Sequence, residues 1–177
     1  MKDLGLPRGI VSRFRLAGLF FSTVLVLGVI VLIPPRTYLS ITEAAVGRNL
    51  ATIALDEGSL VEVGYVHSMY GVRQKEVFSI GPGPVFRLER VEFGSLAAAL
   101  YYDPDPPSGM VFEDGAWVIK GGGKSYPVLT YRVSAESGHT FRARGKTIDL
   151  SGMSAGGDGL IRLSLERRSR LRSILAP

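Results

Sequence analysis

An uncharged run rich in Leu, Val, Ile and Phe at residues 16–33, closed by Pro34-Pro35, constrains this chain more than any other feature. Only Ser22 and Thr23 interrupt it, so it lacks the polar face of a helix packed on a soluble core. Its length suits the hydrocarbon layer of a bilayer and exceeds a signal-peptide core, and no small-x-small cleavage site follows. The double proline then stops the helix. The reading is one N-terminal transmembrane helix, a signal anchor instead of a cleaved leader. Lys2, Arg8, Arg13 and Arg15 precede the run while only Arg36 and Arg48 follow within reach, which places the N-terminus in the cytoplasm. The remainder is expected on the periplasmic or extracellular side of the cell (inner) membrane, so the membrane is the first expected partner.

The 177 residues leave room for one domain beside the anchor, which excludes two independent enzymatic domains. A net charge of +5 invites a nucleic-acid reading until the charges are located. They crowd the ends, with Arg167, Arg168, Arg170 and Arg172 closing the chain. Residues 37–166 carry 12 basic and 15 acidic side chains, a body that is mildly acidic and unsuited to gripping nucleic acid. With no cysteine there are no disulfides, thiol nucleophiles or thiolate metal sites, and no cofactor is called for.

Beyond residue 40 the chain alternates short β-rich segments with Gly, Pro, Asp and Asn about every ten residues, the spacing of a sandwich or barrel. Strands are expected at 50–55, 60–66, 75–80, 86–93, 110–112, 117–119, 128–134, 140–143, 147–150 and 160–165, with no helical periodicity before the tail. Asp56-Glu57-Gly58 and Asp114-Gly115 put glycine where a hairpin needs a positive φ, and Gly81-Pro82-Gly83-Pro84 separates two strong strands. In 86–93 the apolar parity switches from Phe86 and Leu88 to Val91 and Phe93, which predicts a β-bulge. The expected fold is all-β, an antiparallel β-sandwich or partly open barrel. The expected organisation is a basic cytoplasmic N-terminus (1–15), the anchor (16–33), a linker (34–47), the β domain (48–166) and a basic tail (167–177). The tail is either a frayed strand end or an amphipathic segment touching anionic headgroups.

Several constellations carry chemistry in principle. Gly121-Gly122-Gly123-Lys124-Ser125 ends like a phosphate loop, but Val118 holds the place of its first glycine, and a turn is the better reading. Asp103, Asp105 and Asp114 fall at calcium-loop spacings, yet Pro107 and Ser108 stand where a ligand and a glycine belong. A stiffened loop is expected there, with Asp103, Asp105, Glu113 and Asp114 as the alternative cation set. A zinc site would need His67 and His139 together with a carboxylate such as Glu76. His67-Ser68 beside Glu76 also suggests a hydrolase relay, but no nucleophile elbow accompanies it. Residues 151–159, rich in glycine, read as a surface loop.

One ordered set of segments is more specific. Tyr65-Val66-His67-Ser68, then Lys75-Glu76-Val77-Phe78, then Leu88-Glu89-Arg90-Val91-Glu92-Phe93-Gly94-Ser95, resembles the uncharacterised family called domain of unknown function 1850. The resemblance runs from about 60 to 119 and more faintly to 165. By it, His67, Ser68 and Glu76 map onto the family's motif and form the candidate functional cluster. It further implies a companion of the membrane subunit of TAXI-type TRAP transporters. The chain departs from the family's pattern at 96–100, which is mainly alanine where glycines are the rule.

The expected function is thus a membrane-anchored, non-enzymatic extracytoplasmic accessory protein of a solute transport system, with no catalytic residue assigned. Two alternatives stand beside it: a small-solute-binding β module, and a hydrolase or metal-dependent enzyme centred on His67, Ser68 and Glu76. The length of 69–74 suits a hairpin connection that would return Glu76 beside His67 on the next strand.

Overall fold

The computed structural model describes residues 20, 22, 36–106, 109–153 and 158–168. The expected anchor at 16–33, save Phe20 and Ser22, lies outside the described residues, as does the tail beyond Arg168. Among the described residues no helix is long and apolar enough to cross a membrane.

Residues 36–167 form one compact unit built of two β-sheets. Strands β1 (Arg36–Glu43), β2 (Arg48–Leu55), β9 (Val128–Val133) and β12 (Gly159–Arg168) make the smaller sheet, in the order β2-β1-β12-β9. The larger holds β3 (Leu60–Val66), β4 (Arg73–Ile80), β5 (Phe86–Phe93), β6 (Met110–Glu113), β7 (Ala116–Lys120), β8 (Ser125–Tyr126), β10 (Thr140–Ala143) and β11 (Lys146–Asp149). Its order is β11-β10-β3-β4-β5-β7-β6, with β8 also on β5. Neighbours pair antiparallel throughout this sheet.

The sheets bury their inner faces in a single core, as strand alternation demands. From the smaller sheet come Leu39, Ile41, Leu129, Val133, Ile161 and Leu163; from the larger come Val61, Val63, Phe78, Phe86, Phe93 and Phe141. The fold is therefore an all-β antiparallel sandwich. Two short helices accompany it, α1 (Leu96–Tyr102) and α2 (Leu150–Met153).

Several sequence expectations need correction. Much of the expected linker is strand β1, whose Leu39 and Ile41 are fully buried. Helix α1 occupies a stretch expected to be free of helix: Ser95 Oγ caps it by accepting from the Ala98 N–H at 3.2 Å, and alanine is the best helix former. Asp56-Glu57-Gly58 makes no hairpin, because it carries the chain from β2 in one sheet to β3 in the other. The expected loop at 151–159 begins inside α2, where Ser151 is buried.

The bulge is where the parity switch puts it. Val77 pairs with Arg90 and Phe78 with Leu88, leaving Glu89 without an opposite number. The glycine-rich stretch answers that bulge from the other side. Strands β7 and β8 both pair with β5, and residues 121–124 loop out between them against Leu88 and Glu89. The Gly121 N–H donates to the Glu89 carbonyl at 2.7 Å, and the Leu88 N–H to the Lys124 carbonyl at 2.8 Å. The triple glycine is thus a turn that fits a kinked strand. At the β6–β7 hairpin, Asp114 (φ 51°) and Gly115 (φ 82°) make the paired positive-φ turn the sequence predicted.

Candidate functional site

On β4 the inward positions are Gln74, Glu76, Phe78 and Ile80, so a carboxylate and an amide sit on the face that carries the core. Glu76 lies opposite Val63 on β3, and Gln74 lies opposite Tyr65. The Tyr65 hydroxyl donates to Glu76 Oε1 at 2.9 Å, and Gln74 Nε2 makes a longer contact with the same oxygen at 3.4 Å. From the smaller sheet, the Tyr131 hydroxyl on β9 donates to Glu76 Oε2 at 2.6 Å. One carboxylate is therefore clamped between two tyrosines that belong to opposite sheets.

His139 extends the cluster. Its ring stacks on Tyr65 with centroids 4.8 Å apart and meets Tyr131 at 6.0 Å. Its Nδ1 lies 2.6 Å from Ser137 Oγ, and its backbone N–H donates to Ser151 Oγ at 2.8 Å. Burial holds the imidazole below the usual histidine range, which favours the neutral ring. Tyr102, at the end of α1, packs on Phe93 at 5.2 Å.

His67 and Ser68 stand elsewhere. The β3–β4 turn closes with the His67 N–H on the Val72 carbonyl at 2.8 Å, so Val72 faces His67 and Glu76 falls four residues further along β4. At about 3.4 Å per residue that is roughly 14 Å, with the Tyr65–Gln74 pair between. His67 Nδ1 accepts from the Met69 N–H at 3.3 Å, and the ring packs against Tyr70 (5.2 Å) and Tyr101 (5.7 Å). Ser68 is exposed. The expected His67–Glu76 adjacency is corrected: the hairpin is tighter than the count to Gln74 implied, and the carboxylate partners are tyrosines. His67 and Ser68 nevertheless line one cavity with Tyr65, Gln74, Tyr131 and His139.

The acidic candidates do not converge. Asp103 caps α1 and accepts from the Asp105 N–H at 3.2 Å, whereas Asp114 sits in the β6–β7 turn and Glu113 is exposed at the end of β6. Pro107 and Ser108 lie outside the described residues. No group of three His, Asp or Glu side chains is placed to hold a metal among the described residues, and His139 turns to Ser137 instead.

The sequence marks Tyr65 only as the head of the family motif, and it does not single out Gln74, Tyr131 or Tyr102. The two tyrosines that hold Glu76 were findable, because Val61-x-Val63-x-Tyr65 and Leu129-x-Tyr131-x-Val133 each put a tyrosine in line with core residues. A buried hydroxyl needs a partner, and Glu76 shares parity with Phe78 and Ile80.

The clamp has an alkaline signature. Burial first, then the charge and hydrogen bond of Glu76, push Tyr65 and Tyr131 above the ordinary tyrosine range; burial and the same charge push Tyr102 up to about 12. The folded chain thus keeps protons that the unfolded chain releases above pH ~10. The stabilisation is fully present below that pH and declines as pH rises beyond it. In a phenolate absorbance titration, Tyr65 and Tyr131 should ionise only together with unfolding. Ordinary titration of every tyrosine in a chain that stays folded would contradict the clamp.

A sandwich whose two sheets are tied through a buried-side carboxylate and two tyrosines defines the class of this domain. The profile of the family described as domain of unknown function (DUF1850) matches residues 61–150, and the chain belongs to that family. That match spans β3 to the start of α2 and contains both Glu76 and its two tyrosines. Neither a curated protein nor a solved structure matches the chain.

Proposed function

We propose that the chain is a non-enzymatic accessory protein of a solute transport system, anchored by residues 16–33 and stationed outside the membrane beside the membrane subunit of a TAXI-type TRAP transporter. One observation carries the non-enzymatic part. Both oxygens of Glu76 are engaged by hydroxyls from opposite sheets, while His67 turns to a backbone amide and Ser68 faces solvent. A relay needs base and nucleophile within hydrogen-bond reach of each other, and this arrangement spends its carboxylate on joining sheets. The transporter association is supported by the family resemblance. The membrane placement is supported by the uncharged run and its basic flank.

The test is affinity purification of the tagged full-length chain from membranes of its own cell. The transporter's membrane subunit should come with it in near-equal amount, and the chain's own N-terminal peptide should be intact by mass spectrometry. Recovery of the chain without that subunit would defeat the association. A mature chain beginning after residue 36 would defeat the anchor.

A further inference from the structure

The two ends of the sandwich carry opposite charge. Strand β1 starts at Arg36 and runs against β12, with the Ala44 N–H on the Leu160 carbonyl at 2.7 Å and the Thr42 hydroxyl on the Arg162 carbonyl at 3.4 Å. Arg36 and Arg167 therefore meet at one end. Turns of the larger sheet reach the same end: the Gly58 N–H donates to the Ile80 carbonyl at 2.8 Å, and Arg144 in the β10–β11 turn donates to the Ala54 carbonyl at 2.9 Å. Ile80 pairs with Phe86, and Arg87 with Ser125 beside Lys124. Arg36, Arg87, Lys124, Lys146 and Arg167 are exposed at this end, against Glu57, Glu89 and Glu166, while Arg144 and Asp56 pair with each other at 3.1 Å. The opposite end is acidic. There the Val66 N–H meets the Ser137 carbonyl at 2.8 Å, Phe93 pairs with Trp117, and β12 starts at Gly159 opposite Val133. Glu113, Asp114, Glu136, Asp149 and Asp158 are exposed around it, against Arg73 and Arg132. Charges between the ends are paired on the larger sheet, Lys75 and Arg90 with Glu92 and Arg142 with Glu62.

We propose that the basic end docks on anionic lipid headgroups and holds the sandwich upright on the bilayer. The inference rests on the anchored reading given above and names the surface the domain meets. Ile33 closes the apolar run and Arg36 opens β1, so three residues, at most about 10 Å of chain, separate the two. That reach matches the Debye length of about 8 to 10 Å near physiological salt. The far end of β1, at Glu43, lies about 24 Å further along the strand, where headgroup charge is screened. The basic end is thus the one that feels the surface, and the acidic end, which the same charge repels, is carried clear of it. The five cations come from both sheets, from strand ends and turns, a spread that suits a plane of phosphates.

The chain has no cysteine, so single introduced cysteines can report position. Ser125→Cys marks the basic end and Ala135→Cys the acidic end, both at exposed positions. The full chain, labelled with bimane, is placed in nanodiscs of phosphatidylcholine with or without phosphatidylglycerol, each carrying a lipid with a nitroxide headgroup as quencher. Quenching at position 125 should rise with phosphatidylglycerol and fall back in about 1 M salt, where the Debye length is ~3 Å. Quenching at position 135 should not change. Each Lys or Arg at an anionic surface is worth about fivefold in binding, so Arg87→Glu with Lys124→Glu should lower the docked-to-free ratio at least about 25-fold and abolish the rise. Should that variant fail to fold, the lipid and salt comparisons on the unreversed chain decide alone. A signal at 125 indifferent to phosphatidylglycerol or to salt would overturn the proposal and leave the basic end to an acidic protein. An equal rise at 135 would overturn it too. Retention in both kinds of disc at high salt reads the anchor separately. If the chain washes out of both, the anchor fails, and flotation with free vesicles of the two compositions decides headgroup binding: capture by phosphatidylglycerol vesicles alone supports it, and any other result overturns it.

Discussion

Replacing Glu76 by alanine should cost about 3 kcal/mol of folding stability, whereas His67→Ala should cost under about 1 kcal/mol. The difference lies in what each truncation leaves behind. Without the Glu76 carboxylate, the Tyr65 and Tyr131 hydroxyls lose their acceptor on the inner side of both sheets, and a charge-assisted bond is worth about 1.5 to 3 kcal/mol. Without the His67 ring, the Met69 amide loses a partner in an exposed turn, where water replaces it. Denaturant unfolding of the full chain measures both. Adding Tyr131→Phe to Glu76→Ala should recover part of the loss, because it removes the stranded donor, and that non-additivity is the clamp's signature. Equal costs at Glu76 and His67, or strict additivity with Tyr131→Phe, would show that the sheets are not tied this way.

The second large effect is expected at Gly121. A methyl group there would overlap the backbone carbonyl of Leu88, a group fixed by the β5 ladder that cannot swing aside. Gly121→Ala should therefore cost about 3 kcal/mol, at the upper end for overpacking. Gly122→Ala, one residue on, is the matched control. Gly122 has a positive φ of 60° and open space around its Cα, so alanine there meets only left-handed strain of about 1 to 2 kcal/mol. If the two variants melt together, the close approach of this turn to the bulge plays no part in stability.

Legibility varied with how much of a signal is local. Strands β3 and β5 have the bounds their alternation predicts, and the bulge at Glu89 was readable because a parity switch lies within one segment. Strand β1 was hidden by the proline pair before it, although Leu39 and Ile41 alternate correctly. Helix α1 spans seven residues, too few for a periodic pattern to repeat, so only its Ser95 cap and its alanines hint at it. The site was half visible. Glu76 stood out as a polar residue in a core-facing strand, but its partners come from a strand eleven residues back and another fifty-five residues on. Which hydroxyl reaches a carboxylate across a sandwich depends on how two sheets stack, and no spacing within one strand encodes that.

The smaller sheet joins the first strand of the sandwich to the last: β1 lies beside β12, and the Thr42 hydroxyl reaches the Arg162 carbonyl across 120 residues of chain. While the polypeptide is being synthesised, β1 and β2 can zip into their hairpin at once, yet that hairpin waits with an unmatched edge until nearly the whole domain has emerged. Closing so long a loop is entropically slow, and non-local pairing of this kind sets the pace for all-β folds. The large sheet, built mostly from consecutive hairpins, is the part able to assemble early, with sandwich closure as the final step. A ribosome-stalled chain lacking only β12 should therefore show the large sheet formed while Leu39 and Ile41 remain open to solvent.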